Sequence, residues 1–324
     1  MKRVQKISHF FTVTLLLAFV LQSCIKDDLS DCMKEKRVYF SYRPATYASD
    51  DVVKEGIDPA DIKRMDLYIF DENGLFVKKI TDESPTMSLD YYMTIPELKS
   101  GKYKFVAWGN LQNRYNISSN ELIPDKTSME ELQVYLNGIV DKMVDESSTS
   151  LPLLFYATHK EKELEVNAMA DQKFQLDMVQ DTYTINVKIV GLDEETLKSN
   201  AFRLEIYDNN DKYKFDNDFV QSDFFTYSSP CIQANDTLSS ALAVMRLADD
   251  RKPILRVVNT QTRESLVETD LVKLLLALSD LGAKIDFSYQ YEFNIKYVLD
   301  TAFAIVAIEI NGWTWIPEDS ELES

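Results

Sequence analysis

Histidine is nearly absent: the 324-residue chain has 2, beside 3 Cys, 3 Trp and 8 Gly. So few His and Cys leave little for a histidine-rich metal site or a disulfide-dense scaffold. So few Gly exclude collagen-like repeats and glycine-fingerprint designs. Positive charge is also short: 35 Lys plus Arg stand against 53 Asp plus Glu, a net charge of −18. Nucleic-acid binding needs clustered cations that displace counterions from phosphates, so nucleic acid is excluded as a partner. The same charge repels anionic lipid headgroups unless a tether overrides it. No G-x-S-x-G, H-E-x-x-H or G-x-x-x-x-G-K-[ST] motif occurs, and the reading is non-enzymatic, with no catalytic residue, cofactor or metal. What remains is an ordinary globular composition, 45% hydrophobic and 27% charged, with 17 Tyr and 17 Phe that suit pleated surfaces.

Lys2, Arg3 and Lys6 precede an apolar run from Phe10 to Leu21. The run is shorter than the ~20 residues that span a bilayer and fits a secretory signal peptide. Leu21-Gln22-Ser23-Cys24 resembles a bacterial lipobox, Gln22 being a mild departure. The resemblance implies that residues 1–23 are removed by cleavage between Ser23 and Cys24. It also implies that Cys24 is acylated, palmitate included; several acyl chains anchor stably where one does not. Ile25-Lys26-Asp27-Asp28 resembles the surface-export signal of Bacteroidetes lipoproteins, although acids also make solvated linkers. Residues 24–35 read as an acidic linker. The expected location is the outer membrane, lipid-anchored and exposed at the surface.

Beyond residue 36, period-two alternation dominates. Strands are expected at 36–42, 62–70, 75–80, 87–95, 101–108, 153–158, 163–166 and 172–178, and again at 182–190, 202–207, 223–227, 238–247, 254–258, 287–299 and 304–310. Asn73-Gly74 and Asn311-Gly312 mark hairpin turns. Two stretches break the pattern. Residues 128–144 carry Ser128 and Glu131 at capping-box spacing before Leu132, Tyr135, Leu136 and Ile139, which predicts a helix. Residues 269–281 are Leu-rich behind Thr269 and Asp270, a second helix. The fold class is all-β: antiparallel β-sandwiches in tandem, residues 36–180 and 181–316, with one or two connecting helices and an acidic tail at 317–324.

Few residues invite chemistry. His159 reads as an exposed turn residue. Asp208-Asn209-Asn210-Asp211 reads as a hairpin turn, lacking the Gly and closing Glu of an EF-hand loop. Cys32 and Cys231 either form a bridge, favoured outside the cytoplasm, or remain two free thiols. Trp108, Trp313 and Trp315 read first as core residues, with sugar stacking as the alternative for the last two.

Three blocks carry a resemblance. They are Cys24-Ile25-Lys26-Asp27-Asp28-Leu29-Ser30-Asp31-Cys32, Met65-Asp66-Leu67-Tyr68-Ile69-Phe70-Asp71-Glu72-Asn73-Gly74, and Ile308-Glu309-Ile310-Asn311-Gly312-Trp313. In this order the chain resembles the FimB/Mfa-type fimbrial anchor lipoproteins of Bacteroidetes. The resemblance implies transthyretin-like sandwiches and a base that tethers a fimbrium and limits its length. The implied partners are the outer membrane, through the lipid on Cys24, and a stalk subunit held by strand exchange. It further implies that an anchor keeps its first strand, so that Val38 and Phe40 plug their own sandwich. A glycan-binding surface lipoprotein and a tip adhesin are the alternatives, and any host or bacterial surface ligand is unknown.

Overall fold

Alternating side chains set the first sheet. In the computed structural model, residues 34–46, 55–119, 121–144, 151–199, 201–277 and 285–316 are described. Ser23, Cys24, Cys32 and the tail 317–324 lie outside them. An eight-stranded sheet draws only on residues before Asp181. Its central strands, Met65–Asp71 and Gly101–Gly109, are buried on both faces over most of their length. This explains their near-continuous apolar runs. Asp71 closes the hairpin between Met65–Asp71 and Phe76–Asp82: its Oδ1 accepts the N–H groups of Asn73 and Leu75 at 2.8 and 2.9 Å. Gly74 alone takes positive φ there, +75°. The turn is therefore built on the Asp71 carboxylate with glycine at its last position.

Thr182–Val190 opens the rest of the fold. It runs antiparallel to Thr237–Met245 and parallel to Glu292–Leu299. A six-stranded sheet results, ending in Ile305–Ile310 and Trp313–Trp315. Asn311 and Gly312 both have positive φ, +49° and +82°, the two-residue turn that matches strand twist. A second six-stranded sheet centres on Phe202–Asp208 and Ile254–Asn259. The architecture is all-β, as the alternation predicts.

The expected helix at 128–144 does not form. Ser128 caps only a 3-10 turn at Met129–Glu131, its side chain accepting from the N–H of Glu130. The chain then makes short strands at Gln133–Leu136, Ile139–Val140 and Met143–Val144. The cap is real, but the helix it starts stops after one turn. Val134 and Leu136 alternate into the core while Gln133 and Tyr135 do not. Gly138 at φ +79° then turns the chain. The second helix exists as Leu271–Ala277, with the Asp270 carboxylate accepting from the N–H of Lys273. Thr269 instead belongs to the preceding strand, Ser265–Asp270.

Asp208 to Asp211 is not a hairpin. Asp208 ends its strand and pairs with Arg251 at 2.6 Å. Asn210 is fully buried, donating to the Met245 carbonyl and accepting from the Tyr227 hydroxyl. The following strand, Lys212–Lys214, leaves its own half and pairs with Gln133–Leu136. Phe215 is fully buried edge-on to Tyr68 and Phe70. In return, Met143 pairs with Thr226 of the strand Phe225–Pro230. The two halves therefore exchange strands in both directions.

Candidate functional site

The first strand, Lys36–Ser41, is interior to its sheet. It lies parallel to Gln172–Gln180, with Val38 beside Phe174 and Phe40 beside Leu176. On its other side it is antiparallel to Tyr92–Ile95, with Val38 beside Met93. Both named residues are buried, and Phe40 stacks on Tyr91 at 5.8 Å. Fully burying such side chains stabilises by about 1.5–3 kcal/mol each. Without this strand, Gln172–Gln180 would lose one neighbour, and Tyr92–Ile95 its only pairing among the described residues.

The opposite terminus is open. Among the described residues, Trp313–Trp315 is the last strand of its sheet and has one neighbour, Ile305–Ile310. Direct cross-strand partners share a face. Ile308 and Ile310 lie opposite Trp315 and Trp313, so these four occupy one face, and the bulge opposite Val298 and Leu299 brings Ile305 onto it. Trp108 is fully buried, as a core residue should be, but Trp313 is 46% exposed. The core reading fails for Trp313 because an edge strand has nothing beyond it to cover the ring. A cavity of about 790 Å³ lies under this edge. Its floor is Tyr297, Ile305, Ile308 and Trp315, and the helix residues Val272 and Leu276 line it too. The Tyr297 hydroxyl is buried there without a hydrogen-bond partner. Desolvation raises its pKa, so it stays protonated.

Between the halves sits Asp181, fully buried. Its N–H donates to the Leu154 carbonyl. One carboxylate oxygen accepts from Asn217 at 3.1 Å and lies 3.7 Å from Arg246. Desolvation, only partly offset by Arg246 and Asn217, pushes its pKa up to about 6.

His159 is not exposed. It is buried, and its Nε2 accepts the Phe105 N–H at 3.1 Å, which places the ring proton on Nδ1. Burial lowers its pKa. The imidazole thus satisfies a strand amide. Among the described residues, no cluster of His, Cys, Asp and Glu could hold a metal ion. Cys231 is half-buried, and desolvation pushes its thiol up to about 12.

Residues 29–319 match the model of a family described as fimbrillin-A associated anchor proteins Mfa1 and Mfa2. The chain belongs to this family. It is 26% identical over 304 residues to the minor fimbrium anchoring subunit Mfa2 of Porphyromonas gingivalis, covering 90% of each chain. The solved fimbrial anchor protein Mfa2 from Porphyromonas gingivalis has the same fold, with a TM-score of 0.70 and 24% identity. That match covers 89% of this chain and all of the other. A DUF1812 protein from Bacteroides thetaiotaomicron gives a TM-score of 0.73 at 21% identity, over 88% of this chain and 99% of the other. The three residue blocks that resemble the family are legible in the sequence. The open C-terminal cavity and the buried Asp181 are not, because both depend on which strands meet.

Proposed function

We propose that this protein is the lipid-anchored base of a cell-surface fimbrium. The observation that carries the reading is the first strand, seated inside its own sheet with Val38 and Phe40 buried. A strand acceptor already filled by its own chain cannot take a neighbour's strand at that place, so growth stops there. The lipobox at Leu21 to Cys24 supplies the tether, and family membership supplies the fimbrial context. Residues 36–180 act as the membrane-side unit and residues 181–316 as the fibre-side unit. The stalk subunit docks on the C-terminal side, where the edge strand Trp313–Trp315 leaves main-chain groups and a cavity with an apolar floor open to an added strand.

The test is the Cys24→Ala variant expressed in the native host. Fibres should leave the outer membrane and accumulate in the medium, longer than those of the parent. Unchanged retention and length would contradict the reading.

A further inference from the structure

A second exposed surface lies on a different sheet from both of these features. It is the outer face of the sheet built on Phe202–Asp208. Ile254 lies directly beside Tyr207, Tyr207 beside Thr226, Thr226 beside Met143 and Met143 beside Val140. Direct partners share a face, so these residues form one row across five strands, about 19 Å long at ~4.8 Å per strand. Tyr207, Met143 and Val140 are exposed. Phe224 joins them, stacked on Tyr207 with ring centroids 4.8 Å apart and planes 12° from parallel. Phe224 is 45% exposed, so an aromatic surface backed by a second ring faces solvent.

Two residues along the strands runs a parallel row of a different kind. Glu268 lies beside Arg256, Arg256 beside Glu205 and Glu205 beside Ser228. Arg256 donates to the Glu205 carboxylate at 3.0 Å, and Arg203 donates to the Ser228 hydroxyl at 2.9 Å. Glu205 is buried and fixes Arg256, while Arg256, Ser228 and Glu268 remain at least partly open to solvent. An aromatic platform beside a fixed row of planar donors and acceptors matches one ligand chemistry. A pyranose ring has an apolar C–H face that stacks on aromatics and a rim of hydroxyls that bonds to such groups.

We infer that this face binds a neutral glycan chain. A peptide strand is a poorer fit at Tyr207, whose strand is already paired on both sides. Polyanionic glycans and nucleic acids are disfavoured by the net charge of −18. The ion-paired Arg256 and Glu205 leave the row near neutrality. The inference uses neither Cys24 nor the terminal strands, and only Glu268, at the end of the polar row, also lines the cavity under Trp315. A base with a glycan site would grip surface polysaccharide through its fibre-side unit.

The experiment uses the detergent-solubilised full chain and a panel of immobilised neutral polysaccharides: mannan, galactomannan, arabinogalactan, dextran and xyloglucan, with heparin as the polyanionic control. Retention is read by biolayer interferometry. The inference predicts binding to at least one neutral polysaccharide and none to heparin. Phe224→Ala with Tyr207→Ala should weaken that binding at least tenfold with Tm unchanged, and Phe224→Trp with Tyr207 intact should retain it. The Phe224→Trp fluorescence should shift when the bound polysaccharide is added. No retention on any neutral polymer, or retention indifferent to the double alanine variant, overturns the inference. So does concentration-dependent self-association abolished by Tyr207→Ser, because the face would then belong to a second copy.

Discussion

Val38 lies directly beside Phe174 in parallel register, joining the first strand of the fold to the last strand of its first half. The pairing spans most of residues 36–180 and closes that sheet with the chain's own N-terminal segment. Phe40, beside Leu176 in the same register, should bear much of the cost of opening it. Phe40→Ala is expected to destabilise by about 3–5 kcal/mol, the usual range for a buried Phe. Arg37→Ala, on the partly exposed side, should stay within about 0.5 kcal/mol. Urea denaturation of both variants checks this. Equal midpoints would mean that the strand is not structurally required.

Phe215 comes from the second half of the chain but packs against Tyr68 and Phe70 of the first. With strands exchanged in both directions, the two halves should unfold in a single transition. Phe215→Ala is expected to cost about 3–5 kcal/mol and to separate that transition into two. Calorimetry reads the difference. Two transitions already present in the parent protein would show that the exchange does not couple the halves.

Asp181 and His159 should give opposite pH slopes. Burial raises Asp181 from an ordinary value of 3.8 to about 6. Between these values the folded chain holds a proton that the unfolded chain has lost, so stability falls as pH rises from about 4 to 6. Because Asp181 is fully buried, the loss across that window is on the order of 3 kcal/mol. For His159, burial lowers the pKa, so the unfolded chain takes up the proton first. Its contribution is present above about pH 6.5 and is lost on acidification. Urea midpoints from pH 4 to 7 should show Asp181→Asn gaining on the parent as pH rises. Parallel curves would contradict the assignment.

Cys231 should resist alkylation in the folded protein. With its pKa pushed up to about 12, only about one molecule in ten thousand carries the thiolate at pH 8. Iodoacetamide should therefore label it only after unfolding. Labelling of the unfolded, unreduced chain then separates the two states of the cysteine pair. Two labels mean that Cys32 and Cys231 are free, and none means that they are bridged. Rapid labelling mapped to Cys231 in the folded protein would show that thiol to be open.

Much of the fold is legible in alternation. Thr182–Val190 and Glu292–Leu299 bury every second residue over most of their length, and the turns at Asp71 and Asn311 carry their own signals. Legibility fails where local pattern and tertiary pairing disagree. Residues 128–144 have helical spacing and a valid cap, yet Gln133–Leu136 pairs with Tyr115–Ile117 on one side and with Lys212–Lys214, from the other half of the chain, on the other. His159 sits in a polar sequence but fills an acceptor position beside the Phe105 amide. Trp313 has the neighbours of a core residue but lies on a sheet edge. The Tyr207–Phe224 platform depends on a register that no single strand encodes. Local chemistry specifies strands and turns; the order of strands in each sheet decides what becomes a site.

The most direct test of the anchor account is mass spectrometry of this chain recovered from intact fibres. The account predicts an N-terminal peptide beginning at an acylated Cys24, continuous with residues 36–41, in the same particles as the stalk subunit. A lipid-free chain beginning beyond Tyr42 would contradict it, because both the tether and the plugging strand would be gone.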